Sequence, residues 1–311
     1  MASLKADLFK ISKGMGVRNG IELIFLPRVL ARLGFKSFYS GSKVAERFIS
    51  QNLKDVISKY VNVECSNAKT LQTPNIIWIF WWQGEEYMPS VIRECYKSIV
   101  RNANGRKVIL LTEQNYKNYV QLPSHILNKF SVGKIGYTHF SDVLRVALLI
   151  KFGGFWIDAG IFVTKPIPQF QCDFYSPKIS NEKHDSPHLH KWVMGVMATP
   201  PNMPLFNYIY EMLVSYWQKY DDVFHYLMFD FFIRYGYEHF GWLKELIDDR
   251  QIDSPDLHWS RYNFDKEVNK ERLDYLLENN TFLSLTYRIP YPMQLENGKE
   301  TYYSALLKKY S

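Results

Sequence analysis

The sequence predicts an α/β fold, a sheet flanked by helices and preceded by a helical extension. Two observations carry this reading. Short apolar runs alternate with longer segments of helical periodicity, and a helix, a double glycine and a short strand follow one another between Thr138 and Gly160. A third observation sets the scale: 311 residues, 47% hydrophobic and 16% aromatic, suffice for one large α/β domain with an ample core plus an accessory element.

The elements follow in order. Residues 1–65 read as a basic helical extension, broken at Ser40-Gly41-Ser42, and residues 66–73 as a polar linker to a domain spanning 74–311. Ile76 to Trp82 is the first strand, Pro89 to Val100 a helix opened by its proline, and Lys107 to Leu111 the second strand. Glu113–Val120 and Ser124–Phe130 are expected as short helices. Phe140, Val143, Leu144, Ala147 and Leu148 then recur at helical spacing, with Ser141 as N-cap unless the helix begins a turn earlier. Gly153 and Gly154 end that helix, one of them in a left-handed conformation. Phe155-Trp156-Ile157 is too short an apolar run for a helix and predicts a buried strand ending at Asp158; Ile161–Val163 follows as its neighbour. Ser176 to Lys191 is a polar loop, where His184, His188 and His190 are expected as scattered loop histidines rather than a metal cluster. Trp192–Ala198 is expected as a strand facing an acceptor, Leu205–Tyr220 and Phe224–Tyr235 as helices.

The chemistry concentrates in the central unit. Asp142 and Arg145, three apart, share one side of their helix. Alone, such a pair is a solvated surface contact, and a lone Asp after a strand is a turn former. Together they place an acid and a base beside a second acid at the carboxyl end of a strand, where ligands of open α/β sheets bind. That combination suits a pyrophosphate group and a divalent cation. Asp230, between Phe229 and Phe231, must be paired or face a pocket, and His225 and Arg234 are near enough in sequence to pair with it.

Charge and cysteines bound the setting. Residues 1–60 hold 11 Lys/Arg against 4 Asp/Glu, a net of +7, while the remainder balances at 27 against 27. With Leu8, Phe9, Ile11, Leu23, Phe25 and Leu30 interspersed, this segment resembles basic amphipathic helices on anionic membranes; the alternative is a helical extension that packs on the domain that follows, with its basic residues in water. A nucleic-acid partner is not expected, since no binding motif accompanies the charge. Cys65, Cys95 and Cys172 have neither metal nor redox spacing, which fits a reducing cytoplasm. No apolar run reaches membrane-spanning length, and Glu22 and Pro27 interrupt any signal-peptide core, so the expected location is cytoplasmic and peripheral on the inner face of the cell membrane.

Ser141-Asp142-x-x-Arg145 followed by Gly153-Gly154-x-Trp156-x-Asp158 resembles the sugar-nucleotide site of glycosyltransferase family 32, in its capsular-polysaccharide-synthesis branch, a layout shared with the glucosyltransferase domains of large clostridial toxins. The resemblance extends to Pro74–Gly84, Leu110–Thr112 and Lys165–Ile167, with an echo at Leu283–Arg288. It implies a GT-A fold, a Rossmann-like mixed sheet, and a retaining glycosyltransferase using a nucleotide diphosphate sugar, with uridine the preferred base. The expected acceptor is a bacterial surface polysaccharide or lipid-linked glycan. By the same resemblance Asp142 bonds the donor sugar, Arg145 the sugar or diphosphate, and Asp158 ribose, sugar and metal. Trp81 stacks on the base, and Gly154 and Arg288 complete the donor site. Asp230 and Trp192 are carried as sugar or acceptor contacts. The expected cofactor is Mn2+ or Mg2+ on Asp158. Gly160 stands where the family's Asp-x-Asp motif has its second acid, a position often not acidic in the capsular branch; either Asp158 ligates the metal with help from elsewhere, or cations such as Arg145 and Arg288 partly replace it. The competing class is a non-catalytic nucleotide-sugar or glycan-binding subunit.

Overall fold

In the computed structural model, four strands form the central sheet of the described residues, which are 42–63, 74–170, 172–179, 186–248 and 253–310. Expectations for residues 1–41, the linker 66–73, Cys65 and His184 lie outside them. The strands are β1 (Ile76–Phe80), β2 (Lys107–Leu111), β3 (Gly154–Ile157) and β5 (Val196–Thr199), in the order β2-β1-β3-β5. β1 runs parallel to both β2 and β3, with Ile77 opposite Val108 and Phe155. β5 runs antiparallel to β3, with Ile157 opposite Val196. This is the mixed α/β sheet flanked by helices that the sequence predicts.

Period-two alternation sends the side chains of each strand to opposite faces. Trp78 and Trp156 enter one core, with α4 (Ser124–Ser131), α5 (Tyr137–Phe152), α6 (Pro204–Lys219), α7 (Met228–His239) and α8 (Gly241–Asp248). Ile77, Ile79, Phe155 and Ile157 enter the other, with α3 (Ser90–Arg101), α9 (Lys270–Asn279), α10 (Tyr302–Tyr310) and a small antiparallel pair, β4 (Ile161–Val163) and β6 (Phe282–Ser284). α3 buries Val91, Ile92, Cys95, Ser98 and Ile99, one stripe of an amphipathic helix. Its polar residues pin the small sheet: Ser98 Oγ accepts from Val163 N at 2.9 Å, and Asn102 Nδ2 donates to Val163 O at 2.9 Å.

The N-terminal helices α1 (Ser42–Asn52) and α2 (Lys54–Tyr60) pack into the first core through Val44, Phe48, Ile49, Leu53, Val56 and Tyr60. Polar contacts reinforce them: Tyr60 Oη donates to Glu211 at 2.9 Å, and Trp242 Nε1 to Tyr60 O at 2.7 Å.

The double glycine has a steric reason. Gly153 and Gly154 both have positive φ, 62° and 91°, where one was expected. A Cβ on Gly154 would lie 2.3 Å from Ile76 Cγ2, and one on Gly153 2.6 Å from Thr199 O. The strand can therefore leave the helix in contact with its neighbours only without side chains there.

Several boundaries differ from expectation. β1 stops at Phe80, because Trp81 and Trp82 turn into the loop that reaches α3. Glu113–Val120 forms only the single turn Tyr116–Asn118. Ser141 is not a cap: α5 begins at Tyr137, and Ser141 Oγ donates back to Thr138 O at 2.7 Å. Trp192 to Gly195 is not strand; β5 begins at Val196. The aromatic helix starts at Met228 rather than Phe224.

Candidate functional site

Parallel β1 and β3 bring Trp81 and Asp158 to one edge of the sheet, at their carboxyl ends. Antiparallel β5 brings its amino end, Met194-Gly195, to the same edge. A cleft of about 580 Å3 opens there, within the usual range for small-molecule sites. Its walls include Trp81, Trp82, Arg145, Asp158, Gly160 and Arg288.

The floor is a buried charge relay. Arg145 is 2% exposed, and its Nη2 lies 3.3 Å from Asp142 Oδ1 and 3.2 Å from Asp158 Oδ1. Its Nη1 donates to Met194 O, and its guanidinium lies between the rings of Trp156 and Phe229, 4.9 and 5.2 Å from their centroids. Asp158 Oδ1 also accepts from Trp156 Nε1 at 2.6 Å, and Asp158 N donates to Gly195 O at 2.8 Å. Trp156 and Asp158 are two apart, so alternation along the strand was a signal for this contact. The Asp158 side chain remains 43% exposed. Asp142 and Arg145 are thus a buried pair rather than a surface one. Asp142 does not line the cleft; its Oδ2 meets His139 Nδ1 at 3.3 Å, and it backs Arg145 from behind.

The expected residues divide into two groups. Trp81, Arg145, Asp158 and Arg288 line the cleft. Gly154, Asp230 and Trp192 do not. Gly154 lies at the opposite end of β3, packed on Ile76, and its glycine serves packing rather than donor contact. Asp230, 2% exposed, accepts from Trp192 Nε1 at 2.8 Å, so neither His225 nor Arg234 is its hydrogen-bond partner there; Arg234 pairs with Glu238 at 2.8 Å. Neither Asp230 nor Trp192 is among the residues that line the cleft. They anchor the start of the 192–195 segment, whose carbonyls hold Arg145 and Asp158. Burial, with Asp142 and Asp158 nearby, pushes the Asp230 carboxyl up to about 7, against the Trp192 hydrogen bond and Arg145.

Gly160 also has a reason. A Cβ there would lie 2.8 Å from Leu285 O, and Leu285 N donates to Gly160 O at 2.7 Å. Main chain occupies the place a second acidic side chain would need. Among the described lining residues Asp158 is the one carboxylate, set against Arg145 and Arg288. The donor set therefore fits a cation that takes one protein carboxylate and completes its shell from ligand oxygens and water. The described side chains close enough to share an ion, Glu46, Glu238 and His239, lie outside the cleft and are tied up in ion pairs.

The loop histidines meet a third that the sequence did not flag. The His188 ring lies 5.2 Å from His190 and 6.1 Å from His258. Burial first, then their mutual proximity, lowers His188 to about 3, and burial lowers His258 to about 4. His188 Nδ1 accepts from His190 N at 3.1 Å. Cys95 is buried and, like Cys172, is not in a disulfide. Among the described residues no helix is long and apolar enough to cross a membrane.

Comparison with known proteins extends this description. The chain is 27% identical over 143 residues to an uncharacterized glycosyltransferase of Acanthamoeba polyphaga mimivirus, covering 44% of this chain and 54%, about half, of that relative's length. Among solved structures it is similar to the PaToxG glycosyltransferase, with 14% identity, a TM-score of 0.42, and coverage of 64% of this chain and 78% of that one. It is also similar to a transferase carrying two cysteine-to-serine substitutions, with 11% identity, a TM-score of 0.34, and coverage of 60% and 92%. Residues 31–306, nearly the whole chain, match the family described as capsular polysaccharide synthesis protein, and the chain belongs to that family.

Proposed function

We propose that the chain is a glycosyltransferase that moves a hexose or N-acetylhexosamine, with retention, from a nucleotide diphosphate sugar to a surface polysaccharide or lipid-linked glycan. The observation that carries the reading is the floor of the cleft. There Arg145 is locked between two carboxylates, and the half-exposed Asp158 stands at the carboxyl end of β3. The family membership and the named relative support the same activity.

The residues divide the work. Arg145 and Arg288 supply positive charge for the diphosphate, held in place before reaction rather than recruited during it. Asp158 orients donor hydroxyls, and Trp81 offers a ring for the base, with uridine preferred. Mn2+ or Mg2+, held by Asp158, would help neutralise the departing diphosphate. Since Asp158 is the one carboxylate among the described lining residues, a separate covalent nucleophile is not apparent there. This favours front-face transfer, in which the acceptor hydroxyl attacks beside the leaving diphosphate.

The test is a thermal-shift panel of nucleotide sugars followed by donor hydrolysis. One donor should stabilise the protein by mass action and be slowly cleaved to nucleoside diphosphate without acceptor. Stabilisation without cleavage would favour a non-catalytic binding subunit instead, and neither effect would overturn the reading. Domain limits of 1–65 and 74–311, and peripheral attachment to an anionic membrane by the basic segment, belong to the same proposal. Because residues 44–60 are part of the first core, the informative truncation removes residues 1–41. Salt-sensitive vesicle binding that survives this truncation would remove the membrane assignment.

A further inference from the structure

The mouth of the cleft carries four tyrosines that the donor reading leaves unused. Tyr87, Tyr137, Tyr226 and Tyr287 all line it, at 71%, 52%, 56% and 52% exposure. They come from separate segments: the turn Glu85–Tyr87, the first residue of α5, the loop before α7 and the loop after β6. Contacts link three of them around the opening. Tyr137 packs on Trp82 at 5.8 Å, and the adjacent Trp81 meets Tyr287 edge-on at 5.8 Å. The Arg288 guanidinium lies 5.9 Å from the centroid of the Tyr287 ring and close to Tyr226. Tyr226 packs on His139 at 5.9 Å, two residues along α5 from Tyr137.

Single exposed aromatics are ordinary, but several around one concave opening mark a binding surface. Tyrosine offers a flat apolar face with a polar edge. A pyranose ring divides the same way, with C–H groups on its faces and hydroxyls at its rim. The polar side chains Gln83, Thr138 and Ser141, which also line the cleft, are uncharged, whereas the cations suited to a diphosphate are Arg145 and Arg288. Membrane-anchoring tyrosines must reach outward to the headgroups; these line a concavity.

We propose that this tyrosine rim is the acceptor subsite. It holds a neutral glycan chain by stacking against Tyr226 and Tyr287, with the attacking hydroxyl directed toward Asp158. The inference rests on the glycosyltransferase reading above.

Calorimetric titration of the full chain with maltohexaose and chitohexaose, with and without saturating UDP, tests it. Saturable binding of at least one hexasaccharide should persist in the presence of UDP. It should weaken roughly two- to tenfold in Tyr226→Ala and in Tyr287→Ala, and be retained in Tyr226→Phe, which keeps the ring. Circular dichroism checks that the variants fold, which the exposure of both side chains favours. The proposal falls if neither hexasaccharide saturates at millimolar concentration, or if the alanine variants bind as wild type does. It falls also if UDP displaces the saccharide, which would give the tyrosines to the nucleobase. Anionic phospholipid vesicles whose binding is lost in Tyr226→Ala would assign the rim to a membrane and overturn it as well. UDP binding alone is a separate readout: saccharide binding without UDP binding would sink the donor reading and leave the rim standing.

Discussion

The floor and the rim of one cleft are built on opposite principles. On the floor, Asp142, Arg145, Trp156 and Asp158 hold one another, and the main chain of Met194 and Gly195 holds two of them. At the rim, Tyr87, Tyr137, Tyr226 and Tyr287 are more than half exposed, and the last three meet their neighbours mainly ring to ring. A buried charge without partners is costly, so the floor is over-determined and can act only where it stands. An exposed ring loses little by moving and can adapt to a partner. Changes on the floor should therefore reach activity, and stability as well where the side chain is buried, and changes at the rim should alter affinity alone.

The largest effect is expected from Arg145→Ala. It leaves Asp142 buried without its cation, which costs about 3–5 kcal/mol of stability in comparable pairs, and donor hydrolysis should be lost as well. A variant with unchanged melting temperature would show that the pair is not buried as described. Asp158→Asn comes next and separates the two effects. Its side chain is 43% exposed, so melting should change little, while turnover should drop by about 2–4 kcal/mol of transition-state stabilisation. Near-normal turnover would erase the distinction between floor and rim.

Gly160→Asp adds a second acid two residues after Asp158, yet it should not add a metal ligand. Its Cβ meets Leu285 O at 2.8 Å, so the expected result is about 1–3 kcal/mol of destabilisation without tighter Mn2+ binding, read by melting and metal titration.

Asp230 tests the support behind the floor. Its carboxyl is held up at about 7, above the ordinary 3.8, by burial and by Asp142 and Asp158. Between these values the native state binds more protons than the unfolded chain. The contribution of this group is therefore full below about pH 4 and is lost as pH rises to about 7. Asp230→Asn keeps an oxygen for Trp192 Nε1 and should flatten this fall in melting temperature. An unaltered profile would place the titration elsewhere. The smallest effect is expected at the rim: Arg288→Ala, on an exposed side chain, should weaken donor use roughly threefold and leave melting unchanged.

Much of the floor was legible in the chain itself. Helical spacing put Asp142 and Arg145 on one side of α5, and the double glycine and apolar run put Asp158 at a strand end, because such local periodicities depend only on nearby residues. Even Trp156 beside Asp158 was implicit in strand alternation. The boundaries that failed are those where tertiary contact overrides local pattern. Trp81-Trp82 continues the apolar run of β1 yet leaves the strand for the cleft, and Trp192 to Gly195 reads as strand yet serves as a bracket.

What the sequence by itself determined is the α/β alternation, the helix–glycine–strand unit and the acid and base that the unit carries, since each follows from spacing along a few turns. What only the tertiary structure decided is everything that depends on residues distant in the chain. Asp142 and Asp230 are buried supports rather than cleft contacts, because α5 and α7 carry them on faces packed into the protein. Gly160 cannot be acidic, because the main chain of Leu285, 125 positions on by number, lies against it. The four tyrosines of the rim line one opening because the sheet gathers strand ends, a helix start and two late loops at one edge. No local pattern encodes that gathering: it follows from which strands pair and in which direction.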